Sequence, residues 1–115
     1  MKDISKELVY RGKTYKIVFN LNVMEVIQER FGTVEKWGEA MSTEGGKEPK
    51  ASDIIYGFWA MINEGIDIRN EREKRNDPFL SNRQVGRIIT EYGLAKAVAL
   101  QNQTVIESSQ SVEKN

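Results

Sequence analysis

Apolar and polar positions alternate with period two from Leu8 to Phe19, then recur at helical spacing along the rest of the chain. The first stretch is rich in β-branched and aromatic residues around Gly12, the pattern of a β-hairpin. A two-residue turn centred on Gly12-Lys13 is predicted, with Gly12 supplying the positive φ that a type II′ turn needs. Tyr10 then faces Tyr15, and Leu8 faces Ile17. Strand side chains alternate, so these four share one face with Phe19. Val9, Lys16 and Val18 fall on the other face. That face is only partly polar and asks for a cover from another chain or from elsewhere in this one.

Helical patterns follow. Asn22, with Glu25 three residues on, is the predicted cap of a helix whose stripe is Val23, Val26, Ile27 and Phe31, with Gly32 as its stop. Thr33 is placed as the cap of a second, short helix holding Val34, Trp37 and Met41. Gly38 weakens it by about 1 kcal/mol relative to Ala. Ser42 to Lys50 is a loop by composition. Ser52-Asp53 opens the most apolar helix, with Ile54, Ile55, Phe58, Trp59, Met61 and Ile62 toward the core and Gly65 after it. Asp67 to Asp77 is a run of mixed charge with four acids against four bases, ended by Pro78-Phe79. Ser81 with Gln84 forms a capping box for a helix striped by Val85, Ile88, Ile89 and Tyr92. Gly93 interrupts, and Leu94, Ala97, Val98, Gln101 and Val105 continue to about Ile106. The fold expected is α+β: one domain over residues 1–107, an N-terminal β-hairpin packed on a small bundle of four to five helices, and a disordered tail over residues 108–115. A lone hairpin is marginal in water. Its aromatic face is therefore predicted to pack on Phe31, Phe58 and Trp59.

Composition narrows the function. The 115 residues hold 17 Lys+Arg and 17 Asp+Glu, with no Cys and no His. Disulfides, thiol nucleophiles and Cys zinc sites are excluded, as are Ser–His and Cys–His catalysis. Zero net charge argues against a binder that relies on bulk attraction to phosphate. No segment reaches the ~20 apolar residues of a membrane helix. Met1 to Glu7 offers no apolar core for a secretory signal, so the chain is expected to stay in the cytoplasm. Glu25, Glu29, Glu35, Glu39, Glu64 and Glu91 all fall at outward helix positions, and nothing pairs them as an acid and a base. Gly45-Gly46 is too short to cradle a phosphate. Arg69, Arg72, Lys74 and Arg75 are interleaved with acids and lack an aromatic for base stacking, so nucleic acid is not the expected ligand. No enzyme activity, cofactor, metal or small-molecule substrate is predicted.

What is left is protein binding. Phe58 and Trp59 read as core. Trp37 sits in a short, glycine-weakened helix beside a loop and is balanced between core and partner surface. The C-terminal helix has a thin stripe: Ala95, Ala97, Ala99 and Gln101, then Gln101-Asn102-Gln103-Thr104. A helix with so weak an apolar face is peripheral or is completed by a partner.

The order of parts resembles a family. The hairpin V-Y-R-G-K-T-Y-K-I-V-F-N runs into a helix ending in F-G. A polar loop, the helix I-I-Y-G-F-W-A-M-I-N-E-G and the helix V-G-R-I-I-T-E-Y follow. The most specific piece is G-K-x-Y-x-[IL]-x-[FY]-[ND], Gly12 to Asn20, with [IV]-x-x-x-F-G, Ile27 to Gly32. This is similar to the tail assembly chaperones of long-tailed bacteriophages and Gram-positive prophages, from about Leu8 to Val105. The resemblance implies a non-enzymatic protein of the infected bacterium's cytoplasm. Such a protein holds the tape measure protein, and on occasion the major tail protein, while the tail tube polymerises. It also implies a longer, frameshifted form joined after Ile106. Met24, Met41 and Met61 suit an adaptable apolar surface. The residues expected to meet the client are Trp37, Met41, Tyr92, Val98 and Val105. The alternatives are a virion adaptor such as a head–tail connector, which would stay in purified particles, and a bacterial regulatory domain. Self-association is open.

Overall fold

The structure, a computed structural model, describes residues 5–113, with side chains as far as Ser108. Strand β1 (Ser5–Tyr10) pairs antiparallel with β2 (Lys13–Val18). Five α-helices follow: α1 (Leu21–Phe31), α2 (Val34–Ala40), α3 (Ala51–Glu73), α4 (Asn82–Tyr92) and α5 (Leu94–Glu113), with a 3-10 turn at Glu44–Gly46 between α2 and α3. The architecture is α+β, a two-stranded hairpin on helices, as the sequence pattern indicates.

The hairpin turn is Arg11-Gly12, not Gly12-Lys13. Both turn residues have positive φ, 51° and 77°, which is the type I′ geometry that matches strand twist. The register therefore sets Leu8 opposite Tyr15, Lys6 opposite Ile17 and Tyr10 opposite Lys13. This differs by two residues from the expected pairing. A two-residue shift leaves every side chain on its own face, so the core assignment is unaffected. Leu8, Ile17 and Phe19 are buried.

The hairpin's second side is left largely open, and α3 approaches it only along β2. Val18 is buried, while Val9 is 60% exposed. At Gly65 a Cβ would overlap the Lys16 carbonyl oxygen of β2. Glycine lets the helix lie against the strand backbone, so Gly65 is a point of close approach inside α3 and not its end. The helix continues two more turns into the charge run. It stops at Lys74, whose φ of 51° is left-handed, and Arg69–Glu73 is an i,i+4 ion pair within it.

Two asparagines one heptad apart on α3 fasten the chain that returns to α4. Asn63 donates to the Leu80 carbonyl (3.0 Å) and accepts from the Leu80 N–H (2.8 Å). Asn70 does the same with Asp77, at 3.0 Å each way. Both backbone groups of each loop residue are thereby satisfied.

Caps lie close to the expected positions. Asn20, not Asn22, caps α1 by accepting from Val23 N–H at 3.1 Å. Asn20 and Asn22 both donate to Glu64 of α3, at 2.6 and 3.0 Å. Thr33 caps α2, and Ser81 with Gln84 completes the capping box of α4. Phe58 is fully buried, but Phe31 and Trp59 are half-buried and meet Tyr56 instead of the hairpin tyrosines, with ring centroids 6.2 and 5.5 Å from it. Finally, α5 does not stop near Ile106. No glycine or proline follows Gly93, and a helix once nucleated propagates through the polar residues to Glu113. The expected disordered tail thus begins within a helix. Residues 114–115, like Met1 to Ile4 of the region read for a signal, lie outside the described residues.

Candidate functional site

The residues expected to meet a partner divide into two groups. Trp37 and Met41, on and just after α2, are only 3% and 6% exposed and belong to the core. Trp37 stacks on Phe19 at 6.2 Å with the rings 8° from parallel. Of the two readings open for Trp37, core and partner surface, the structure shows the core, and both residues are covered by their own chain. Tyr92, Val98 and Val105 are half-buried against the core at the C-terminal helices. Lys96 lies over the Tyr92 ring at 5.0 Å.

Val98 and Val105 are seven residues apart and share one flank of α5, together with Leu94. Leu94 and Ile106 are each 55% exposed. The side that α5 turns inward is different in character. Ala97, Gln101, Thr104 and Ser108 recur at i, i+4, i+7 and i+11, and all are fully buried. Burial on this helix is thus inverted in part: amide and hydroxyl groups face in while a leucine and an isoleucine face water. Helical periodicity could not show this, because it marks which positions share a face and not what the facing surface offers. The available signal was Gln101 itself, a polar residue in an otherwise apolar register.

Two hollows lie elsewhere on the surface. A cleft of about 370 Å³ between β2 and the C-terminal half of α3 is lined by Lys13, Lys16, Arg69, Glu73 and Asp77. Its charges are of both signs, and Arg69 and Arg75 are engaged by Glu73 and Asp77. A shallower hollow of about 820 Å³ lies between the hairpin tip and α4, with Tyr10, Arg11, Ile55, Arg83 and Arg87 around it. Arg11 is paired there with Glu91 at 3.3 Å. Among the described residues no three or more acidic side chains gather as metal ligands. No helix among them is long and apolar enough to cross a membrane. Comparison with family models, with curated proteins and with solved structures finds no match to this chain.

Proposed function

We propose that this chain is a non-enzymatic client-binding protein that engages an apolar helix through its C-terminal helices, in the manner of a phage tail assembly chaperone. The observation that carries the reading is the apolar flank of α5. Leu94 is 55% exposed, with Val98 and Val105 half-buried beside it on the same flank. A holder of an aggregation-prone helix needs moderate apolar contacts and no chemistry, and anchors spaced by helical turns supply them. The resemblance of the hairpin and first helix to the tail chaperones names the client class. On that reading it is the tape measure protein, with the major tail protein as a second partner, in the cytoplasm of the infected bacterium.

The test is a pull-down of a co-expressed tape measure fragment by the wild type and by Val98→Asp, with folding of the variant checked by circular dichroism. Wild-type capture should survive raised salt, because apolar contacts are not screened as exposed charges are beyond ~8–10 Å. Folded Val98→Asp should lose the client. Retention of the client by that variant rules out the flank. Loss of wild-type capture at moderate salt points to an electrostatic partner, nucleic acid among them.

A further inference from the structure

The berth of α5 fits its occupant poorly. Gln101 is fully buried, yet neither its Oε1 nor its Nε2 has a hydrogen-bond partner, and the buried Ser108 hydroxyl has none either. Thr104 avoids the same fate only by donating to the Leu100 carbonyl of its own helix, at 2.8 Å. The wall opposite Gln101 is Gly57 of α3 and the edge of the Trp37 ring. A Cβ at Gly57 would stand 3.1 Å from Gln101 Oε1 and 3.0 Å from Trp37 Cζ2. The Trp37 Nε1–H is itself unpartnered. A glutamine amide has two donors and two acceptor sites, and here all are withdrawn from water without replacement.

The attachments of α5 are slight at both ends. Gly93, with φ 110° and ψ 123°, is the one residue between α4 and α5, a conformation that suits glycine and breaks the helical run. Toward the far end, Lys6 Nζ lies 2.8 Å from Glu107 Oε2, an ion pair with both side chains partly in solvent. Such pairs contribute little. Swung outward on Gly93, the stripe Ala97-Gln101-Thr104-Ser108 would regain its bonds to water, while the half-buried Val98, Leu100 and Val105 would leave the core.

We infer that the berth beneath α5 is the client groove. α5 pivots out on Gly93, and a partner helix bearing apolar residues at i, i+4, i+7 and i+11 lies in its place over Gly57 and Trp37. This rests on the helix-binding reading above and adds where the helix goes. The occupant is a foreign apolar helix and not α5 of a second copy, which would bring the same Gln101 and gain nothing. Trp37 then serves the partner from inside the fold, as a wall that is uncovered only on opening.

The experiment is hydrogen exchange read by mass spectrometry on the full chain, alone and with a fluorescent peptide. The peptide copies residues 94–108 with Q101L, T104L and S108L, an apolar version of the berth's own occupant. In the free protein, amides of 97–108 should exchange at least about tenfold faster than those of 58–62 in α3, as expected of a locally opening element. The peptide should bind and strip the remaining protection from 97–108. Gln101→Met keeps the side-chain length and removes the unpartnered amide. It should slow exchange of α5 and weaken peptide binding, each about tenfold. Ser108→Ala should move both in the same direction by less, and serves if the first variant folds poorly. Exchange of α5 as slow as that of α3 overturns the inference. So does peptide binding that leaves α5 protected, which would put the client on the outer flank and leave the helix-binding reading intact. A peptide that fails to bind at all removes both, and a swapped dimer in place of a peptide complex overturns the choice of occupant.

Discussion

Two polar regions flank the same helix, one half-buried and one fully buried, and they are built to opposite standards. On one side of α3, Asn63 and Asn70 each give both amide atoms to the main chain of the returning loop, at 2.8–3.0 Å. On the other, Gln101 brings an amide of the same chemistry against Gly57 and finds no partner. The first arrangement satisfies a loop that charge composition alone would leave free. The second leaves a helix held by apolar packing and one ion pair, with no hydrogen bond from its buried amide. An amide taken out of water is therefore no guide to rigidity until its partners are counted: satisfied, it locks an element, and orphaned, it lowers the cost of that element's departure.

The largest effect should come from the contact of α3 with β2. Gly65→Ala places a methyl group into the Lys16 carbonyl, and neither backbone has room to move without separating α3 from the hairpin. A loss of about 3 kcal/mol is expected, at the upper end of the usual cost of overpacking, read from the urea midpoint. Gly57→Ala is the matched control. Its new methyl group meets the edge of Trp37 and the end of a flexible glutamine at 3.0 and 3.1 Å. Here α5 can yield, so the global midpoint should fall by about 1 kcal/mol or less while exchange across 97–108 accelerates. Equal losses from the two alanines would mean that α5 yields no more readily than β2.

Asn63→Ala comes next. It removes two hydrogen bonds and leaves the Leu80 N–H and carbonyl to find water. A loss of about 2 kcal/mol is expected, with exchange of the 77–80 amides rising first. Asn70→Ala should cost somewhat less, because it lies nearer the end of α3. If Asn63→Ala leaves the 77–80 amides unchanged, the loop is held by something other than these side chains.

Much of this architecture could be read from local chemistry, and the parts that could not share a cause. Thr33, Ser81 with Gln84, Gly32 and Gly93 mark helix boundaries through groups within three or four residues, so the sequence alone places them. Val23, Ile27, Val85 and Ile88 declare an inward face by spacing. Arg11-Gly12 and Gly12-Lys13 each put a glycine at positive φ, and local pattern does not choose between them. What decided Gly65 was a strand backbone almost fifty residues away, and what decided Trp37 was Phe19. Gln101 is the sharpest case. Its position in the stripe was visible, but whether its amide had partners depended on Gly57 and α2, which only the assembled fold brings to it.

The smallest effect separates a locally opening α5 from one that leaves only when the whole protein unfolds. Gly38 sits within α2, exposed, and a Cβ there would meet nothing within 4 Å. Gly38→Ala should therefore stabilise the fold by about 0.5–1 kcal/mol, through higher helix propensity and fewer unfolded conformations. In a domain of this size that raises the melting temperature by roughly 2–6 °C. The exchange of core amides at 58–62 should slow in step with that gain, since they open only on global unfolding. The amides of 97–108 should not respond, because pivoting about Gly93 leaves α2 folded. Parallel slowing of both sets would mean that α5 is part of the cooperative unit, and the contrast between its orphaned amide and the satisfied asparagines would then have no dynamic consequence.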